Sequence, residues 1–123
     1  FVSGVPDERI VELYAEAELA VVPSLYEGFS LPAIEAMATS ICLVATTGGA
    51  LPEVTGADGE TVLQCPAGDS EALAAALRRG LDDAALRDRV GDDPLVHWAQ
   101  GSPCTTPYST ARFSELAGLL SGR

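Results

Sequence analysis

Two short, unbroken apolar runs constrain this chain more than any other feature. They are Leu19-Ala20-Val21-Val22, closed by Pro23-Ser24, and Ile41-Cys42-Leu43-Val44-Ala45, closed by Thr46-Thr47-Gly48-Gly49. Apolar runs of this length, bounded by turn residues, read as strands covered on both faces, and such strands belong to parallel sheets. The sequence around them is helical. Pro6-Asp7-Glu8 starts a helix, with proline preset for the first turn and two acids suited to the positive end of the dipole. Ile10, Leu13, Tyr14 and Ala17 come next on one face, and Glu18 closes that helix. Leu31-Pro32 opens a second helix through Met37 and Ala38, the proline standing where a missing N–H costs nothing. A Pro52-Glu53 turn and a short helix lead to a third strand over Thr61-Val62-Leu63-Gln64. Asp69-Ser70-Glu71 caps an Ala- and Leu-rich helix from Glu71 to Arg79, and another helical piece runs from Asp83 to Val90. Strands alternating with helices in this way predict an α/β fold with a parallel sheet and helices on its faces. Ligands of such sheets sit at the loops after the strands' carboxyl ends, which here are residues 25–30 and 46–50.

Charge removes several functions. The 123 residues carry 18 acidic and 7 basic side chains, a net charge of −11, and every basic residue is an arginine. This balance repels nucleic acid and anionic lipid, so no nucleic-acid partner is expected. Without lysine there is no Walker-type phosphate loop, Schiff-base chemistry or lysine base. No apolar run approaches the roughly 20 residues that cross a bilayer, and residues 1–6 read as strand and turn rather than a signal peptide. Cys42, Cys65 and Cys104 are odd in number and widely spaced, which fits neither a disulfide framework nor a Cys-x-x-Cys metal site. Cys42 and Cys65 read as small buried hydrophobes. The expected location is a reducing compartment, the cytoplasm.

Helical periodicity ends near Gly91. Asp92-Asp93-Pro94 breaks the last helix, and Gly101, Pro103 and Pro107 interrupt the stretch beyond it, leaving only 113–120 for another short helix. Two parts are expected: a domain over 1–91 and an atypical tail over 92–123. The single histidine, His97, and Trp98 lie in that tail. With His97 read as a bystander, no Ser-His-Asp or Cys-His nucleophile system is available.

The segment Glu27-Gly28-Phe29-Ser30-Leu31-Pro32-Ala33-Ile34-Glu35 joins the first strand to the second helix. Gly28 lets the backbone approach a ligand or adopt a positive φ. The first-turn amides of the helix and its dipole form an anion site. Two carboxylates beside such a site repel a bare phosphate but accept hydrogen bonds from vicinal diols. A ligand combining phosphates with many hydroxyls satisfies both, and a nucleotide sugar is one. Tyr26 and Phe29 either flank the sugar or brace the loop; Leu31, Ile34 and Met37 are core.

Residues 22–38, from Val22-Pro23-Ser24 through Glu27 and Glu35 to Met37-Ala38, closely resemble the Glu-x7-Glu region of the retaining family-4 (group 1) glycosyltransferases. The resemblance covers about residues 1–90. It takes in Phe1–Pro6 as a strand and turn, the Leu13-Tyr14 pair, Gly48-Gly49-Ala50-Leu51-Pro52-Glu53-Val54, and the helix over Asp69 to Leu77. It implies the carboxyl-terminal, donor-binding half of a GT-B enzyme, with a partial Rossmann-like sheet. Such enzymes transfer a sugar from a UDP-, GDP- or similar donor with retention of configuration and without a bound metal or other cofactor. By this resemblance Glu27 is the catalytic glutamate, contacting sugar hydroxyls near the reacting carbon. Glu35 takes the ribose hydroxyls, and the amides of Gly28, Phe29, Ser30 and Leu31 meet the sugar and the phosphates.

The departures from the family are specific. By the resemblance, the chain is expected to start midway through the donor domain. The amino-terminal acceptor domain would then be missing, together with the upstream Arg and Lys that neutralise the diphosphate. No basic residue lies between Arg9 and Arg78. The piece by itself is therefore expected to be inactive, to self-associate through an open sheet edge, and to leave acceptor choice (saccharide, lipid or small molecule) to the absent half. In the full-length parent it would lie in the cytoplasm or against the inner face of the membrane. Thr39-Ser40-Ile41-Cys42 replaces the usual Gly and Pro between helix and strand, at a cost in helix-stop definition. The tail does not align, as a slipped reading frame after about Gly91 would produce. Two other readings stand beside the transferase: a glycoside hydrolase using Glu27 and Glu35 as its carboxyl pair, and a non-catalytic nucleotide- or partner-binding α/β module.

Overall fold

Alternation along one central strand divides the core in two. The computed structural model describes residues 1–92 together with 114, 115 and 118. In chain order its elements are α1 (Asp7–Glu16), β1 (Ala20–Val22), α2 (Leu31–Ala38), β2 (Leu43–Thr46), α3 (Leu51–Thr55), β3 (Leu63–Cys65), α4 (Ser70–Asp82) and α5 (Ala84–Asp92). The strands form a parallel sheet in the order β1-β2-β3, with Val22 opposite Ala45 and Ala45 opposite Gln64. Leu43 and Ala45 of β2 point to one face and join Val11 of α1, Ile34 and Met37 of α2, and Leu51 and Val54 of α3. Val44 points to the other face with Leu63 and Cys65, against Ala76 of α4 and Leu86 and Val90 of α5. Successive side chains of a strand must face opposite ways, so a continuously apolar β2 needs cover on both faces. Each fully buried Leu or Val contributes about 1.5–3 kcal/mol relative to exposure.

The α/β class and parallel sheet agree with the sequence reading, and Cys42 and Cys65 are both buried. Four local expectations change. Val21 is 43% exposed: β1 is an edge strand, and α4 packs mainly over β2 and β3. Residues 1–6 contain no strand. The first helix ends at Glu16 rather than Glu18, the Ala17 N–H closing on the Leu13 and Tyr14 carbonyls. From there the chain must extend so that the Ala20 N–H can reach the Cys42 carbonyl, 2.9 Å away. The third strand is Leu63–Cys65 rather than 61–64; the short helix expected before it is α3, with Pro52 in its first turn and Gly56, at φ 87°, ending it.

The caps fall where the sequence puts them. The Asp69 carboxylate accepts from the Ala72 N–H at 2.9 Å and starts α4. The stop of α2 uses no glycine. Thr39 Oγ1 donates back to the Glu35 and Ala36 carbonyls, and Ser40 takes the left-handed conformation at φ 56°. Ser114, Glu115 and Gly118 are helical, within the segment expected to form a short helix. Expectations for the rest of the tail, His97, Trp98 and Cys104 included, lie outside the described residues.

Candidate functional site

The loop after β1 is held from its neighbour. Because Val22 pairs with Ala45, residues 23–28 emerge beside the turn after β2. Thr46, 3% exposed, donates its hydroxyl to the Ser24 carbonyl and accepts from the Gly48 N–H at 3.3 Å. The Ala50 N–H donates to the Glu27 carbonyl at 2.8 Å. Ser24 Oγ donates to Glu27 Oε1 at 2.7 Å, a charge-assisted bond within the loop itself. Gly48 and Gly49 make this approach feasible. A Cβ on Gly48 would lie 2.6 Å from the Leu25 carbonyl oxygen. One on Gly49, whose φ is 61°, would collide with the Glu27 carbonyl.

Gly28 is the opposite case. A Cβ there would meet nothing within 4 Å, and its φ lies outside the left-handed region. Of the two roles read for it, positive φ and close approach, the first does not apply. Half-buried Glu27 sits between this open glycine and the locked turn.

The amino end of α2 is poorer in free donors than the sequence suggested. Ser30, 1% exposed, turns its hydroxyl inward and accepts from the Ala33 N–H at 3.3 Å. Pro32 has no N–H, and the Ile34 N–H bonds to the Ser30 carbonyl. Within the first turn only the Leu31 amide keeps its hydrogen without one of these partners. The side chain of Ser30 is a cap, not a ligand contact. Phe29 packs on the core under the loop, which settles its choice in favour of bracing, whereas Leu25 and Tyr26 are 74% and 76% exposed.

Glu35 is half-buried on α2 and lines an apolar cleft of about 430 Å³ with Ile10, Leu13, Tyr14, Ala17 and Pro32. The Tyr14 hydroxyl donates to the Pro32 carbonyl at 3.4 Å across it. Glu27 is not among the residues lining this cleft. A smaller recess of about 190 Å³ opens at the carboxyl ends of all three strands, among Pro23, Leu25, Thr46, Pro66, Gly68 and Asp69. A third cleft, about 410 Å³, lies by the strands' amino ends, among Glu18, Ser40, Cys42 and Arg87. Burial pushes the Cys42 and Cys65 thiols up, which keeps both protonated and unreactive at neutral pH.

Three of the described arginines have partners on their own elements or close by. Arg9 pairs with Glu12 and Glu16, Arg79 with Asp58, and Arg87 donates to the Gly80 and Leu81 carbonyls at the end of α4. Among the described residues no group of three or more His, Cys, Asp and Glu is placed to hold a metal ion. No described helix is long and apolar enough to cross a membrane. Sequence reasoning missed Ser24, Thr46 and the Gly48-Gly49 lock. The signal was present as two adjacent glycines directly after a buried strand, but their target lies on another strand's loop.

The model of the family described as glycosyl transferases group 1 matches residues 1–83. An MMP alpha-(1->4)-mannosyltransferase of Mycolicibacterium hassiacum is 50% identical over 91 residues, which are 74% of this chain and 22% of that protein. The solved structure of a sucrose-phosphate synthase from Thermosynechococcus elongatus superposes with a TM-score of 0.76 at 31% identity, covering 99% of this chain and 30% of that one. The carboxyl-terminal domain of a group 1 glycosyl transferase from Francisella tularensis superposes with a TM-score of 0.70 at 28% identity, covering 82% of this chain and 52% of that one. The chain thus spans about a fifth of the mannosyltransferase and under a third of the sucrose-phosphate synthase chain. On the family match, the relatives and the shared parallel sheet, this chain belongs to the group 1 glycosyltransferases and carries part of the carboxyl-terminal half-domain of their GT-B fold.

Proposed function

We propose that this chain is the donor-binding part of a retaining glycosyltransferase whose donor is a nucleotide sugar and whose reaction needs no metal. In this reading Glu27 meets hydroxyls of the transferred sugar near the reacting carbon, and Glu35 takes the ribose hydroxyls. The amides of Gly28, Phe29, Ser30 and Leu31 face the sugar and the diphosphate. The mannosyltransferase relative favours a hexose as the transferred group. The observation that carries the reading is the fixed Glu27 beside the unobstructed Gly28, at the carboxyl end of a parallel strand. A preset carboxylate next to open backbone suits a ligand rich in hydroxyls, because its position costs little to fix on binding.

Charge limits what this part does alone. Departure of a nucleoside diphosphate needs positive charge at its phosphates, and Arg9, Arg79 and Arg87 are committed elsewhere. The neutralising groups would come from sequence outside these residues, and the chain alone is inactive in this reading. The acceptor, whether saccharide, lipid or small molecule, would be chosen there too.

Isothermal titration of the protein with UDP-, GDP- and ADP-sugars tests the proposal, with Glu35→Ala as control. One donor binds, and Glu35→Ala weakens it by about tenfold or more, the loss of a charge-assisted hydrogen bond. A donor that binds equally well to Glu35→Ala overturns the assignment of the ribose site.

A further inference from the structure

We propose that Ser24 is a positioning residue for Glu27, with Thr46 fixing Ser24 in turn; this deepens the reading of Glu27 as a donor contact and rests on it. A glutamate side chain has three rotatable bonds, so a carboxylate on a surface loop is ordinarily spread over several rotamers. Here it is fixed at both ends. The Ala50 N–H holds the Glu27 carbonyl at 2.8 Å, and Ser24 Oγ holds Oε1 at 2.7 Å. The Ser24 bond leaves Oε2 as the face of the carboxylate that a ligand hydroxyl can approach. Ser24 is itself anchored through its carbonyl, which accepts from the buried Thr46 hydroxyl, and that hydroxyl accepts from the Gly48 N–H. Each member of this chain of hydrogen bonds has a partner on both sides. It runs from Thr46 at the end of β2 through the Ser24 backbone, so the sheet fixes the residue whose hydroxyl holds Oε1. Catalytic contacts held by such a supporting shell lose rate when it is removed, because a small displacement at the reacting centre is costly.

The test uses the full-length protein, with UDP-glucose, GDP-mannose and ADP-glucose as probes; without an added acceptor, water takes the sugar, and the nucleoside diphosphate released by this hydrolysis is the readout. Ser24→Ala is expected to lower kcat about tenfold and leave KM within about twofold. Ser24→Thr, which keeps the hydroxyl, regains most of the rate. In the Glu27→Ala background Ser24→Ala costs nothing further, since its effect passes through the missing carboxylate. A crystal structure of Ser24→Ala supplies a readout without any substrate, and shows the Glu27 carboxylate in other rotamers. Should Ser24→Ala fail to fold, Thr46→Val removes the inner hydroxyl at nearly constant shape and lowers kcat about threefold. An ordered, unmoved carboxylate in Ser24→Ala overturns the proposal. So does a Ser24→Ala loss that adds to that of Glu27→Ala, which would mean direct ligand contact or a folding defect. Full turnover in Ser24→Ala with loss in Glu27→Ala rejects Ser24 alone and leaves the site reading standing. Full turnover in Glu27→Ala removes that reading, and the proposal with it.

Discussion

Two glycine bends come after neighbouring strands of one sheet, and they serve opposite ends. The bend after β2 is closed: Gly48 and Gly49 lie so near the Leu25 and Glu27 backbone that neither has room for a methyl group. The bend after β1 is open, with nothing within 4 Å of where a Cβ on Gly28 would lie. The first glycines are there for packing between loops; the second leaves backbone accessible from solvent. A glycine in a loop is therefore not by itself a sign of a binding site. What separates the two uses is what stands opposite the missing side chain, and the open bend draws its rigidity from the closed one.

That contrast can be broken most directly at Gly49. Gly49→Ala combines left-handed strain with a backbone collision, and about 3 kcal/mol or more of stability is expected to go. Urea denaturation measures it, and an unchanged midpoint would mean that the two loops do not lock. A third bend, the stop of α2, sharpens the comparison because Ser40 holds a φ of 56° without being a glycine. Ser40→Gly should therefore stabilise by about 1 kcal/mol, read as a raised Tm, since the strain is relieved and no bond of the side chain to a neighbour is needed for the stop. A lowered Tm would show that Ser40 contributes more than its backbone. The smallest stability effect belongs to Gly28. Gly28→Ala is expected to shift stability by less than about 0.5 kcal/mol, as at other unobstructed surface positions. The same change weakens titrated nucleotide-sugar binding severalfold; equal binding by the variant would make the open bend incidental.

Much of the framework was legible along the chain because its causes are local. The apolar run of β2, the Pro32 and Asp69 helix starts, and the burial of Cys42 and Cys65 each arise within a window of a dozen residues or fewer. Expectations that failed needed knowledge of neighbours. Leu19–Val22 is as apolar as a fully covered strand, yet Val21 is exposed, β1 lying at the edge while α4 packs mainly over β2 and β3. The start of α2 was placed by Pro32, but that the Ser30 hydroxyl accepts from the Ala33 N–H and caps the helix shows only in the folded chain.

The sequence by itself determined the α/β class, the order of elements and the Glu27–Glu35 segment with its glycine and its proline-led helix. Periodicity and capping act through neighbours in the chain, and these are fixed before any long-range contact forms. Only the tertiary structure decided that Ser24, Thr46 and Gly49 converge on the Glu27 loop, and that Glu35 lies along an apolar cleft beside α1. Those relations depend on the register of β1 against β2, which brings together residues about twenty positions apart. No local propensity encodes that distance; the packing of the whole sheet sets it.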